Sequence, residues 1–95
     1  MPAYIVVRVQ INDESGYAEY RRMVVPTLEA YGGRFLARGG RAQMLEGSGT
    51  PGRVIILEFP TYDQALSWYT SDEYAPAKRQ RQATSDAEAI VVEGT

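Results

Sequence analysis

The chain has 95 residues, a net charge of −2, and neither cysteine nor histidine. Disulfides, thiolate chemistry, histidine bases and histidine metal ligands are therefore excluded, and a chain this short buries roughly 60 to 70% of its unfolded surface in one thin core. The positive charge is nine Arg and one Lys with no long basic run. No apolar stretch nears the roughly 20 residues that span a bilayer. The expectation is one domain over residues 1–95, cytoplasmic, with no nucleic-acid or membrane partner.

Tyr4 to Ile11 alternates with period two, Ile5, Val7, Val9 and Ile11 against Tyr4, Val6, Arg8 and Gln10, and predicts a strand. Asn12 and Asp13 offer N-cap oxygens and Glu14 suits a first helical turn. Tyr17, Tyr20, Val24, Leu28 and Tyr31 then recur at helical steps, giving one apolar face. Pro26 lies inside that helix and predicts a kink near Arg22 to Val25. Gly32-Gly33 supplies a left-handed C-cap. Arg34 to Arg38 reads as a short strand broken by Gly39-Gly40, with Ala42 to Glu46 resuming it after a bulge or turn. Gly47 to Gly52 is a hairpin loop. Arg53 to Phe59, rich in β-branched residues, is the strongest strand. Thr61 with Gln64 forms a capping box for a helix with Tyr62, Ala65, Leu66 and Tyr69 on its apolar side. Ser71 caps a further turn through Tyr74 and Ala77 toward Arg81. Glu88 to Glu93 is the last strand.

The order β-α-β-β-α-β predicts an α+β, ferredoxin-like domain: a four-stranded antiparallel sheet, order 4-1-3-2, with the helices on one face. The other face would expose Tyr4, Val6, Leu36, Val54, Ile56 and Val91. A contiguous apolar face of this kind calls for a partner, and a two-fold homodimer packed through the helix-free sheet face covers it.

Tyr17-Ala18-Glu19-Tyr20, Pro26 through Gly33, Arg38-Gly39-Gly40, Leu45-Glu46-Gly47, Glu58-Phe59-Pro60, Trp68-Tyr69, Ser71 through Tyr74, Arg81 and Val92-Glu93-Gly94 together carry a resemblance over essentially the whole chain. In these residues the sequence resembles the domain-of-unknown-function family 1330 of the dimeric α/β barrel superfamily. The resemblance implies the ferredoxin-like fold and a dimer. It implies no particular reaction. Related barrels include cofactor-free monooxygenases, lactone isomerases and haem-binding enzymes, and the histidine ligands of the haem and metal users have no counterpart here.

Strand parity predicts one constellation. Arg8 and Glu58 fall on the helix-free face, and Arg38 shares the parity of Leu36. Two arginines and a carboxylate would then meet on an apolar surface, as an ion pair fixing dimer register, as a site in which Glu58 moves a proton and Arg38 or Arg8 holds an anion, or as solvated charge at strand ends. Trp68, Tyr69, Tyr74 and Arg81 form a second group, either aromatic core or a ligand wall. Tyr17, Tyr20 and Tyr31 read as core whose hydroxyls need partners, so that Tyr20 can reach a groove. The candidate catalytic residues are thus Glu58 and Arg38, and the candidate binding residues Arg8, Tyr20, Trp68, Tyr69 and Arg81. No metal or cofactor is expected. The functional expectation is a small homodimer that binds or acts on a partly apolar carboxylate- or oxo-bearing molecule in a groove by the sheet face. If it is an enzyme, the chemistry is cofactor-free and isomerase- or monooxygenase-like. The alternative is a non-catalytic ligand-binding or structural dimer.

Overall fold

The computed structural model describes residues 1–95. The elements are β1 (Ala3–Ile11), α1 (Glu14–Ala30), β2 (Arg34–Arg38), β3 (Arg53–Phe59), α2 (Tyr62–Tyr69), α3 (Ala75–Thr84) and β4 (Ser85–Glu93). The strands make one antiparallel sheet in the order β2-β3-β1-β4, and the three helices cover one of its faces. This is the ferredoxin-like α+β fold.

Local chemistry sets most boundaries. The Asp13 carboxylate accepts the Gly16 N–H at 3.1 Å and starts α1. At the other end Gly32, at φ 75°, donates to the Glu29 carbonyl, and Gly33 donates to the Leu28 carbonyl. Those two bonds satisfy otherwise orphaned helix-end carbonyls. Pro26 is accommodated within α1, which remains one element. The Thr61 hydroxyl caps α2 by accepting the Gln64 N–H at 3.1 Å. The Ser71 hydroxyl accepts the Tyr74 N–H at 3.1 Å, so the helical path breaks after Tyr69 and restarts as α3. Two expected boundaries move. β4 begins at Ser85 rather than Glu88, paired from Ile11 outward along β1. Ala42 to Glu46 forms no strand, and residues 39–52 are an irregular connection.

The core lies between the sheet and the helices. β1 contributes Ala3, Ile5 and Val9, β3 contributes Leu57 and Phe59, and α1 contributes Tyr17, Tyr20, Val24 and Leu28. Trp68 and Tyr74 complete its largest side chains. Fully burying an aliphatic or aromatic side chain stabilises the fold by about 1.5–3 kcal/mol. The aromatic residues therefore dominate this thin core.

The pairing register settles which residues share the helix-free face. Tyr4 opposes Glu58 and Val92, Val6 opposes Ile56 and Ile90, and Arg8 opposes Val54 and Glu88. Val91 opposes Ile5 and packs on the core, so Ile90 and Val92 take the place expected of it. A bulge at Leu36 makes the second correction. Phe35 pairs with Leu57, but Ala37 pairs with Ile56 and Arg38 with Ile55. The extra residue shifts everything after it by one. Arg38 consequently lies on the helix-bearing face, not with Arg8 and Glu58.

Candidate functional site

Between the helices and their face of the sheet lies a cleft with a volume of about 40 Å³, measured as room for the centre of a water molecule. That exceeds the roughly 10–15 Å³ needed for one water. The strands β1, β3 and β4 supply an aliphatic floor that includes Val7, Ile55 and Ala89, and Tyr17, Tyr20, Trp68 and Tyr69 stand over it. The charged residues on its wall are Arg21, Arg38, Arg53 and Arg81, and no carboxylate joins them.

Arg81 is the most buried of these cations, with a relative exposure of 6%. It reaches the cleft because α3 places it two turns beyond Tyr74. Its Nε donates to the Tyr74 hydroxyl and its Nη2 to the Tyr69 hydroxyl, both at 3.4 Å. The Tyr74 hydroxyl in turn meets that of Tyr20 at 3.1 Å. Trp68 stacks on Tyr74 with ring centroids 4.0 Å apart, and its indole N–H donates to the Thr27 hydroxyl. The chain's ion pairs are Arg21–Glu14, Arg22–Glu19 and Arg34–Glu58. Arg38, Arg53 and Arg81 therefore face the cleft without a carboxylate partner.

The titration behaviour follows from this layout. Burial pushes the Tyr20 phenol far above its ordinary range, reinforced by the adjacent Tyr74. Burial also raises Tyr17, although Arg53, Arg21 and Arg81 pull it back. For Arg81 burial is the largest influence and opposes the charge, but the Tyr74, Tyr20 and Tyr69 hydroxyls together outweigh it and its pKa stays above the ordinary value. The polar groups of the wall are guanidinium and phenol hydroxyl. The wall donates hydrogen bonds and offers positive charge, and it holds no group that would take a proton.

The residues expected at the site divide into two sets. Tyr20, Trp68, Tyr69 and Arg81 meet in the cleft, and the bulge brings Arg38 there with its guanidinium 4.2 Å over the Phe35 ring. Glu58 and Arg8 do not join them. Glu58 is on the opposite face, paired with Arg34 at 2.6 Å. Arg8 lies four residues along β1 from Tyr4, the partner of Glu58, and ties down the β2–β3 connection through the Thr50 carbonyl at 3.2 Å. The expected meeting of Arg8, Arg38 and Glu58 is not formed. Arg53 and Arg21 also line the cleft. The signal for Arg53 was present in the sequence, since it shares the parity of Ile55 and Leu57.

The fold and cleft define a small ferredoxin-like α+β protein with an arginine- and tyrosine-walled pocket between sheet and helices. The profile of the family described as a domain of unknown function (DUF1330) matches residues 2–95, and the chain belongs to that family. No curated protein matches the sequence. Solved structures are similar over nearly all of this chain. A protein of unknown function from Rhodopseudomonas palustris is 23% identical, with a TM-score of 0.80 over 99% of this chain and 82% of that one. SnoaB, a cofactor-independent oxygenase from Streptomyces nogalater, is 11% identical, with a TM-score of 0.68 over 99% of this chain and 93% of that one. A dimeric ferredoxin-like protein of unknown function from Jannaschia sp. CCS1 is 11% identical, with a TM-score of 0.67 over 99% of this chain and 100% of that one. No helix of the protein is long and apolar enough to cross a membrane.

Proposed function

We propose that this protein binds a small, planar, partly apolar molecule with an oxo or carboxylate group and stabilises its anionic form in the cleft between sheet and helices. The observation that carries the reading is Arg81, buried among aromatic rings with two phenol hydroxyls and no carboxylate. A buried cation normally has an anionic partner, and a ligand anion supplies one. Trp68, Tyr69 and Tyr20 give the planar walls. A phenol or enol bound there loses its proton to water more readily, because the resulting oxyanion faces guanidinium and phenol donors. Such an anion is the reactive form in cofactor-free isomerisation or oxygenation, and SnoaB, of similar fold, is a cofactor-independent oxygenase. Glu58, paired with Arg34 on the other face, is left out of this chemistry.

The test is a titration with 4-nitrophenol, followed by the absorbance of its phenolate. Protein should convert the probe to phenolate at least one pH unit below the free titration, a shift equivalent to about 1.4 kcal/mol. Arg81→Met should abolish the shift. Absence of binding, or binding without a shift, overturns the reading.

A second reading, ligand binding without turnover, is favoured by the lack of a carboxylate or histidine along the cleft. Recovery of a tightly bound ligand chemically unchanged after long incubation in air would select it.

The assembly belongs to the same proposal. Ile90, Val92 and Leu36 are 64%, 47% and 48% exposed in the protomer, and Val6 and Ile56 lie beside Ile90 on the helix-free face. A second copy packed there, sheet against sheet, buries this stripe. The Jannaschia protein of similar fold is a dimer.

A further inference from the structure

Arg53 is one of the cations in the cleft that the reading built on Arg81 leaves unused. Its Nε is buried and has no hydrogen-bond partner. A buried unpaired donor on a charged group is costly, and native structures rarely leave one without a protein, water or ligand partner. Its position is built rather than incidental. Arg53 opens β3 opposite Val9, on the parity that faces the helices. Its guanidinium lies against Gly39, where a Cβ would come within 2.5 Å of the Arg53 Cζ. Gly39 is held at φ 72° and anchored by its N–H to the Val54 carbonyl at 3.0 Å. Residues other than glycine pay roughly 1–2 kcal/mol in that backbone region. The notch thus needs glycine for its conformation and for the room it gives Arg53. The Leu36 bulge turns the neighbouring Arg38 toward the same cleft.

Two cationic ends result. Arg81, from α3, stands with Tyr69 and Tyr74. Arg53 and Arg38 come from β3 and β2, at the side of the sheet away from β4. The two groups stand on different elements of the cleft wall. We infer that Arg53, seated in the Gly39 notch and flanked by Arg38, is a second anion-binding end of the cleft that takes a carboxylate, so that the ligand is an aromatic or similarly planar acid carrying an oxo or hydroxyl group at its other end. The inference rests on the proposed ligand-binding role of the cleft. Guanidinium suits a carboxylate because its fork matches the two oxygens, which a lysine ammonium cannot do.

The experiment compares 4-hydroxybenzoate with 4-hydroxybenzamide by calorimetric titration. The two probes share ring and hydroxyl and differ in charge at the other end. Wild type should bind the acid about tenfold to a hundredfold more tightly, the range expected for charge-assisted hydrogen bonds. Arg53→Met should bring the acid down to the affinity of the amide, Arg53→Lys should recover only part, and Gly39→Ala should lower the preference by displacing the guanidinium. Thermal melts establish that each variant is folded. The wild-type comparison needs no variant. Equal affinities of acid and amide in wild type overturn the second anion end while leaving the cleft a ligand site. A preference that survives Arg53→Met but vanishes in Arg81→Met also overturns it, because the acid then sits at Arg81. Failure of both probes and of 4-nitrophenol to bind overturns it together with the reading beneath it.

Discussion

Arg81 shows how a single side chain sets stability against function. A charge with 6% exposure and no carboxylate beside it relies on phenol hydroxyls to offset its burial. Exchanging a whole buried ion pair for apolar residues of similar size is often neutral or stabilising, and Arg81 has no carboxylate partner that its removal would strand. Arg81→Met should therefore leave the melting temperature unchanged or raise it, while abolishing the phenolate shift of 4-nitrophenol. The Tyr74 hydroxyl keeps Tyr20 as a partner in that variant. A marked fall in melting temperature would mean that the guanidinium serves the core rather than a ligand. Tyr20 gives a second prediction, in pH. Burial raises its pKa above the ordinary value of 10.0, so the folded chain holds a proton that the unfolded chain releases. Below pH 10 both states are protonated and the group gives no pH dependence. Above it stability falls, by about 1.4 kcal/mol per pH unit for each such group. Urea unfolding between pH 8 and 11 should show this decline, and Tyr20→Phe should flatten it by one group's worth. An identical slope in the variant would contradict the assignment.

At the scale of the element, the Leu36 bulge decides what the cleft contains. Because Phe35, Ala37 and Arg38 pair with Leu57, Ile56 and Ile55 in succession, removing Leu36 leaves each of them its present partner. Deletion of Leu36 should thus give a regular strand with Arg38 still on the helix-bearing face. The expected change is within about 1 kcal/mol, or a melting shift below about 8 °C. A larger loss, or loss of the acid preference, would show that the bulge's twist is needed as well as its register. The same bulge marks where the sequence could be read and where it could not. Alternation placed Ile5, Ile55, Leu57 and Phe59 against the helices. The caps at Asp13, Gly32, Thr61 and Ser71 were legible as side-chain and backbone chemistry. Parity holds only while a strand is regular, and nothing local to Arg34–Arg38 announces an extra residue, so Arg38 was assigned to the wrong face. Val91 was misplaced for a related reason. β4 is apolar on both faces at Ile90, Val91 and Val92, and only the pairing with Ile5 identifies which of them is inside. Arg8 and Glu58 do share a face, but parity says nothing of distance along a strand. The group of Trp68, Tyr69, Tyr74 and Arg81 was legible as one short stretch of chain, although the break after Tyr69 leaves helical spacing to join only Tyr74 and Arg81.

For the whole molecule, the two faces of the sheet carry different groups. The helix-bearing face encloses the cleft, and the other presents Tyr4, Val6, Val54, Ile56, Ile90 and Val92 around a polar margin where Arg8 opposes Glu88 and Arg34 pairs with Glu58. With the proposed interface and the proposed ligand site on opposite faces, the two proposals can be tested separately. Ile56→Asp places a carboxylate in the middle of the apolar stripe, and two such charges would meet near the axis of a face-to-face dimer, desolvated and alike. Light scattering at micromolar concentration should give a dimer mass for wild type and a monomer mass for the variant. The variant should melt at a lower temperature, since the stability that comes from association by mass action is lost. Its cleft lies on the far side of the sheet, and it should still shift 4-nitrophenol toward the phenolate. A wild-type monomer would remove the helix-free face as the interface. An Ile56→Asp dimer would move the contact to another surface. Loss of the phenolate shift in a folded monomer would show that the partner copy completes the cleft, and the two faces would then have to be treated as one site.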